Sequence, residues 1–198
     1  MCDQLARKDK DLKAVIKQHG YPPLCGRVPS FATLIHIILE QQVSLASAKA
    51  AFLKLEAKVG HMTPEKILQL TDEEMKACYF SRQKIIYARH LATAIMNGAF
   101  SLEKTCSLDD ESLRVEMKKL KGIGDWTVDV FMMMALHRTD CFPRGDIALM
   151  KSIKEVKNLD AHTTKDDILA IAEKWKPYRT IAAFILWHAY IIKRNIKL

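Results

Sequence analysis

Leu120-Lys121-Gly122-Ile123-Gly124-Asp125-Trp126-Thr127 decides how this chain is read. An amphipathic, basic segment carrying Leu113, Met117 and Leu120 leads into Gly-Ile-Gly, and an apolar helical segment from Trp126 to Leu136 follows at once. Two helices joined by Gly-x-Gly expose backbone N–H groups at the start of the second helix, where unpaired amides and the helix dipole both favour an anion. Glycine permits positive φ and a close approach of a nucleic-acid backbone. With Lys118, Lys119 and Lys121 beside it, the element reads as a sequence-independent DNA clamp. A Gly-x-Gly between helices also serves as a plain tight turn. It is not a dinucleotide fingerprint, because helical periodicity rather than a strand precedes it.

Outward from the hairpin, the pattern is helical throughout. The 198 residues are 49% hydrophobic, with only 7 Gly and 6 Pro, which favours an all-α protein with a sizeable core. An N-terminal helix is expected from Leu5 up to Gly20. Phe31, Leu34, Ile35 and Ile38 mark a second helix ending near Gln41 and Gln42, and a third runs from about Ser44 to Val59. Thr63-Pro64 opens a short helix, and Thr71 with Glu74 forms a capping box. Ile85 to Ile95 is an amphipathic stripe. Ser107 with Asp110 is expected to cap the helix before the hairpin, Thr164 with Asp167 opens another, and Pro177 starts the last. About ten helices result.

Net charge is +8, which suits a polyanionic partner. The five cysteines (Cys2, Cys25, Cys78, Cys106, Cys141) are scattered and odd in number, so a disulfide framework or a zinc or iron–sulfur site is not expected and a reducing, intracellular compartment is. No apolar leader opens the chain, and Ile181 to Ile192 is too short to span a bilayer; it is expected to be a buried helix in a protein without membrane association.

Asp146 follows the Pro143 and Gly145 break and stands where a helix would begin. A carboxylate there accepts backbone N–H bonds and stays ionised. It is a candidate catalytic group, or simply a cap. Asp125, Asp129 and Asp140 compete for the role, and spacing alone does not exclude Asp129. Trp175 reads as core, Trp126 directly after the phosphate loop does not, and Met132-Met133-Met134 reads as core filler.

The order of clamp, loop and anchored carboxylate resembles the helix-hairpin-helix superfamily of DNA glycosylases, and within it the 3-methyladenine DNA glycosylase II branch. The resemblance rests on the hairpin quoted above and on Phe142-Pro143-Arg144-Gly145-Asp146. It rests equally on Ile38-Leu39-Glu40-Gln41-Gln42-Val43-Ser44, Phe80-Ser81-Arg82-Gln83-Lys84 and Trp175-Lys176-Pro177-Tyr178-Arg179 with Trp187, and covers roughly residues 15 to 192. It implies an all-α, two-lobed fold with the active-site cleft between lobes. One lobe would comprise about residues 35–140, the other the N-terminal segment with about 141–198, in a single 1–198 domain acting as a monomer. It implies Asp146 as the catalytic carboxylate and Trp126 and Trp187 as walls of the flipped-base pocket. Gln42 would be the wedge that fills the gap in the duplex. Gly122 and Gly124 would meet phosphate through their amides, with Lys121 and Thr127 completing the DNA-binding set. The carbonyls of Lys118, Leu120 and Ile123 would hold a structural K+ or Na+, with no other cofactor required.

The sequence departs from that family at three places. Gln42 is polar where close bacterial relatives carry an apolar wedge, Val130 replaces an aromatic of some relatives, and no N-terminal β-domain is expected before residue 15. Trp126 stands where bifunctional glycosylases place a lysine nucleophile, which disfavours a lyase. The implied partner is duplex DNA containing damaged bases, and the implied activity is monofunctional removal of alkylated purines. Excision of oxidised or deaminated purines, or a hairpin module that binds DNA without catalysis, are the alternatives.

Overall fold

The computed structural model describes residues 1–23 and 26–196; Cys25, counted above among the scattered cysteines, lies outside them. Among the described residues there are thirteen α-helices and no strand. In chain order they are α1 (Cys2–Lys8), α2 (Lys10–His19), α3 (Phe31–Glu40), α4 (Leu45–Val59), α5 (Pro64–Gln69), α6 (Asp72–Ala77) and α7 (Arg82–Met96). Then come α8 (Leu102–Cys106), α9 (Asp110–Lys118), α10 (Asp125–Met134), α11 (Ile147–Val156), α12 (Lys165–Glu173) and α13 (Arg179–Lys193). No helix of the described residues is long and apolar enough to cross a membrane. The chain divides into two compact units, one of Met1–Gly26 with Met132–Lys197 and the other of Arg27–Phe131, so that the division falls inside α10.

In the Arg27–Phe131 unit α3 is the central element. Its Leu34, Ile35, Ile37, Ile38 and Leu39 are all buried, so the helix is apolar around most of its circumference, and α4 and α7 pack on it. Each such side chain contributes about 1.5–3 kcal/mol on burial. Ser30 caps α3 by accepting from the Thr33 amide, and at the other end Lys84 Nζ donates to the Leu39 carbonyl at 2.7 Å. Burial lowers the pKa of Lys84. Arg27 forks onto Glu40, donating from Nη1 to Oε2 at 3.1 Å, so the end of α3 is held from two sides.

In the other unit α13 packs on α11 and α2, and α1 on α2. Its Ile181, Ala182, Ala183, Ile185 and Leu186 are buried, as expected for the apolar late stretch, and Trp175 is core. The expected helix from Leu5 to Gly20 is instead two helices. Asp9 breaks it in an extended conformation and caps α2 through the amides of Asp11 and Leu12. The tertiary reason is on the same carboxylate. Lys157 Nζ donates to Asp9 Oδ1 at 2.6 Å and Trp175 Nε1 to Oδ2 at 2.8 Å, drawing Asp9 inward. Two further starts differ. Asp109, not Ser107, caps α9, with its carboxylate on the Glu111 and Ser112 amides, and α13 begins at Arg179, two residues beyond Pro177. The splitting of the N-terminal helix and the short α8 raise the helix count above the expected number.

Burial alone would raise the Asp9 pKa, but the hydrogen bonds from Lys157 and Trp175 outweigh it and hold the carboxyl below its ordinary value. A depressed folded-state pKa stabilises the fold above the unfolded value, near 3.9, and that stability is lost as pH falls through the folded value. Asp9→Asn should therefore destabilise the protein at neutral pH by about 2–3 kcal/mol. That is less than for most broken buried pairs, because Asp11 still faces Lys157 at 2.9 Å. Thermal unfolding from pH 7 to 3 checks this: the gap between wild type and variant should narrow toward pH 3.

Candidate active site and nucleic-acid interface

The hairpin is built by α9, the turn Lys119–Gly124 and α10. Leu120 and Ile123 are buried and plug the turn into the core, and Ile123 N–H donates to the Leu120 carbonyl at 3.1 Å. Gly122 has φ +85°, and a Cβ there would lie 2.2 Å from Tyr87 Cγ. Both backbone conformation and ring contact demand glycine. Gly124 differs: its φ is not left-handed, and a Cβ there would meet nothing within 4 Å. No internal contact within 4 Å explains the second glycine.

Gln41 ties this turn to the end of α3. Its Nε2 donates to the Gly122 carbonyl at 2.9 Å and to Thr127 Oγ1 at 3.0 Å. Thr127 is 2% exposed, and Gln41 engages its hydroxyl, so the side chain is turned inward. On the other flank, the Lys121 amide donates to His90 Nδ1 at 3.2 Å, while its side chain is exposed. Lys118 pairs with Asp125 at 2.7 Å and Lys119 with Glu116. Such surface pairs are worth about 0–1 kcal/mol, so either lysine can exchange its partner for a phosphate.

The residue after Gln41 is held in an unusual shape. Gln42 has φ +56° and is exposed, in a turn followed by exposed Val43 and by Ser44, whose hydroxyl caps α4. Left-handed backbone in a non-glycine residue is uncommon and persists only where surroundings impose it. Here Lys84 and Gln41 pin the chain on the near side and the α4 cap on the far side.

In the other unit, Asp146 is the N-cap of α11. Its Oδ1 accepts from the Leu149 amide at 2.7 Å and from Trp187 Nε1 at 3.1 Å. The loop before it is anchored by buried Phe142, 6.2 Å from the Trp175 ring, and by the Asp146 amide on the Pro143 carbonyl at 2.9 Å. Trp187 stands edge-on to Phe184 at 5.8 Å. Asp146 and Trp187 are both partly exposed.

The competing aspartates are engaged in other ways. Asp129 is 3% exposed and ion-paired to Arg114. Asp140 holds the fork of Arg179, with Nε on Oδ1 and Nη2 on Oδ2 at 2.9 Å each, and accepts the Arg179 amide at the start of α13. Asp125 pairs with Lys118. Spacing left Asp129 open, and burial with an arginine partner makes it a structural carboxylate.

The structure thus joins Asp146 with Trp187 in one unit, and Gln41 and Gln42 with the hairpin in the other. Trp126, half-buried at the start of α10, belongs to the second. Val130 is buried within α10. Sequence reading missed the roles of Gln41, His90, Arg114 and Tyr87. Their partners lie 15 to 86 residues away along the chain, and no local pattern signals them.

Comparison with known proteins agrees with this geometry. Residues 35–177 match the HhH-GPD superfamily of base excision DNA repair proteins. The chain belongs to that superfamily. It is 30% identical to DNA-3-methyladenine glycosylase 1 of Schizosaccharomyces pombe over 92% of this chain and 83% of that protein. It is 29% identical to the DNA-3-methyladenine glycosylase of Bacillus subtilis, over 93% of this chain and 65% of that one. The chain therefore spans about two thirds of the length of some relatives. Among solved structures, that of the S. pombe 3-methyladenine DNA glycosylase in complex with abasic DNA superposes with a TM-score of 0.83 at 30% identity, covering 90% of each chain. The all-α architecture is that of HhH-GPD glycosylases.

The two glycines of this HhH-GPD hairpin should respond oppositely to alanine. Gly122→Ala should lower stability by about 2 kcal/mol or more through the Tyr87 clash and the strained φ. Gly124→Ala should unfold within about 0.5 kcal/mol of wild type yet bind duplex DNA roughly tenfold more weakly, because its methyl occupies the space before the helix amides. Thermal unfolding with fluorescence-anisotropy titration separates the two; equal behaviour of both variants would contradict the assignment.

Proposed function

We propose that this chain is a monofunctional DNA glycosylase that flips alkylated purines such as 3-methyladenine out of duplex DNA and removes them by hydrolysis. One observation carries the reading: Asp146 caps α11 through the Leu149 amide and accepts from the Trp187 indole, which sets a carboxylate beside an aromatic ring at a helix start. The names of the relatives at about 30% identity point the same way.

The chemistry asks for one anion. An alkylated purine is cationic and leaves readily, so no carboxylic acid partner is needed. The C1′–N bond breaks, its electron pair leaves with the base, and positive charge develops on the sugar. The Asp146 carboxylate stabilises that charge and orients the water that bonds to C1′ and releases a proton. Hydrogen bonds from the Leu149 amide and the Trp187 indole fix the carboxylate before substrate arrives. Flipping costs a few kcal/mol, and a cationic base over the faces of Trp126 and Trp187 recovers about 0.5–2 kcal/mol for each favourable contact. Gln42, presented by its left-handed turn, fills the gap left in the duplex and can hydrogen-bond the orphaned base.

The hairpin seats phosphate on the Gly122 and Gly124 amides, assisted by the Lys121 side chain. The carbonyls of Lys118, Leu120 and Ile123 suit a monovalent cation. Lys118 ends α9, where the last carbonyls lack an onward helical amide, and the Leu120 carbonyl retains a lone pair beyond its 3.1 Å turn bond. Bound there, K+ or Na+ would add positive charge beside the phosphate.

Asp146→Asn tests the reading. Asparagine still caps α11 and still accepts from Trp187, so circular dichroism and DNA affinity should stay near wild type. Single-turnover release of methylated purine should fall on the order of a thousandfold. Retained activity, or its loss in Asp129→Asn with an intact fold, would move the role elsewhere. Borohydride treatment during turnover should trap no covalent DNA adduct, because Trp126 supplies no amine; a trapped complex would contradict the monofunctional mechanism.

A further inference from the structure

A second feature of the unit that carries Asp146 is not used by this mechanism. A shallow groove of about 390 Å3 opens beside the α11 N-terminus, lined by Arg144, Lys151, Lys154 and Lys165 with Ile147 and Met150 between them. No carboxylate lines it. Elsewhere in the same unit several cations face carboxylates: Lys157 with Asp9, Arg179 with Asp140, Lys193 and Arg194 with Glu155. Among the described residues Arg144, Lys151 and Lys165 make no salt bridge. Lys154 is partly tied, donating to the Ala161 carbonyl at 3.1 Å. Four cations gathered around one depression repel one another, a cost that a bound polyanion removes.

The apolar part of the groove is as unusual as its charge. Ile147 is 70% exposed, directly after the candidate catalytic Asp146. A side chain this large and apolar gains little from solvent, but it suits the face of a deoxyribose. Alternating phosphate and sugar is the chemistry that alternating cation and aliphatic side chain would recognise. The groove also begins next to Asp146, since Gly145 and Ile147 on either side of it are lining residues. The Asp146 carboxylate itself is engaged by Leu149 and Trp187, neither of which lines the groove.

We infer that this groove is a second DNA-backbone site, distinct from the hairpin, in which Arg144, Lys151 and Lys165 bind phosphates flanking the damaged nucleotide and Ile147 packs on the sugar between them. The inference rests on the glycosylase reading for the position of the nucleotide, and on charge and shape for the groove itself.

Lys151→Gln/Lys165→Gln removes two exposed charges at helical positions where glutamine is tolerated. Lys13→Gln/Lys17→Gln, on the exposed face of α2, removes the same net charge away from the groove. Duplex affinity is measured against salt for both, with the duplex bearing an abasic site. For the groove variant the log–log slope should be shallower by about 1.8, at roughly 0.9 per lost phosphate contact, and affinity at moderate salt should fall at least tenfold. The control should keep the wild-type slope within about 0.5. Neutral methylphosphonates placed singly on either side of the lesion should weaken wild-type binding at one or two positions and have no effect there in the groove variant. A slope equal to that of the control, or methylphosphonate effects unchanged in the groove variant, overturns the inference. So does competition by inorganic phosphate at constant ionic strength, which would mark a free-anion seat. If the wild type shows the groove-dependent slope but releases no methylated purine, the catalytic reading fails and the groove stands. Normal base release with an unaltered slope removes the groove alone.

Discussion

The side-chain amide of Gln41 reaches 81 residues along the chain to the Gly122 carbonyl and also holds the buried Thr127 hydroxyl. Most of the DNA-facing geometry of the Arg27–Phe131 unit depends on it. A Gly-x-Gly turn has little intrinsic rigidity, because glycine loses more conformational freedom on ordering than any other residue. Two hydrogen bonds from one amide, the Tyr87 ring against Gly122 and the buried Leu120 and Ile123 together impose a single shape on it. The bond works in both directions. Gln42, in the turn that follows Gln41, lies in the left-handed region, so the proposed wedge and the proposed phosphate seat share Gln41 as a neighbour.

The same economy governs the carboxylates. Buried or half-buried aspartates need partners, and the fold assigns each a distinct one. Asp9 receives Lys157 and Trp175, Asp129 receives Arg114, and Asp140 receives Arg179. Each of these pairings neutralises the charge with a cation. Asp146 accepts from the Leu149 amide and from the Trp187 indole. The indole on Asp146 also gives Trp187 a fixed edge, so the aromatic and the anion are positioned together.

The cationic surface follows a complementary rule. Where lysines and arginines brace the fold they face carboxylates, as at Glu155 and Asp140. At the hairpin they are paired weakly on the surface, and around Ile147 they gather without a carboxylate among them.

Much of this was legible without coordinates. The all-α class, the hairpin, the caps at Thr63, Thr71 and Thr164, and the helix start at Asp146 are local, set by periodicity, glycine and short-range hydrogen bonds that neighbouring residues complete. Asp9 shows the limit. Nothing near it distinguishes a continuous helix from two, and the break comes from Lys157 and Trp175, more than 140 residues away. Thr127 shows the same limit, since the partner that buries its hydroxyl, Gln41, lies 86 residues away. The partners of Asp129 and Asp140 were equally beyond spacing, because burial and ion pairing are properties of packing. The sequence by itself determined which helices form and where the anion seat and candidate carboxylate fall along the chain. Tertiary structure alone decided which carboxylates are neutralised, which amides are held and which cations remain unmatched, because those depend on partners that only folding brings within hydrogen-bond reach.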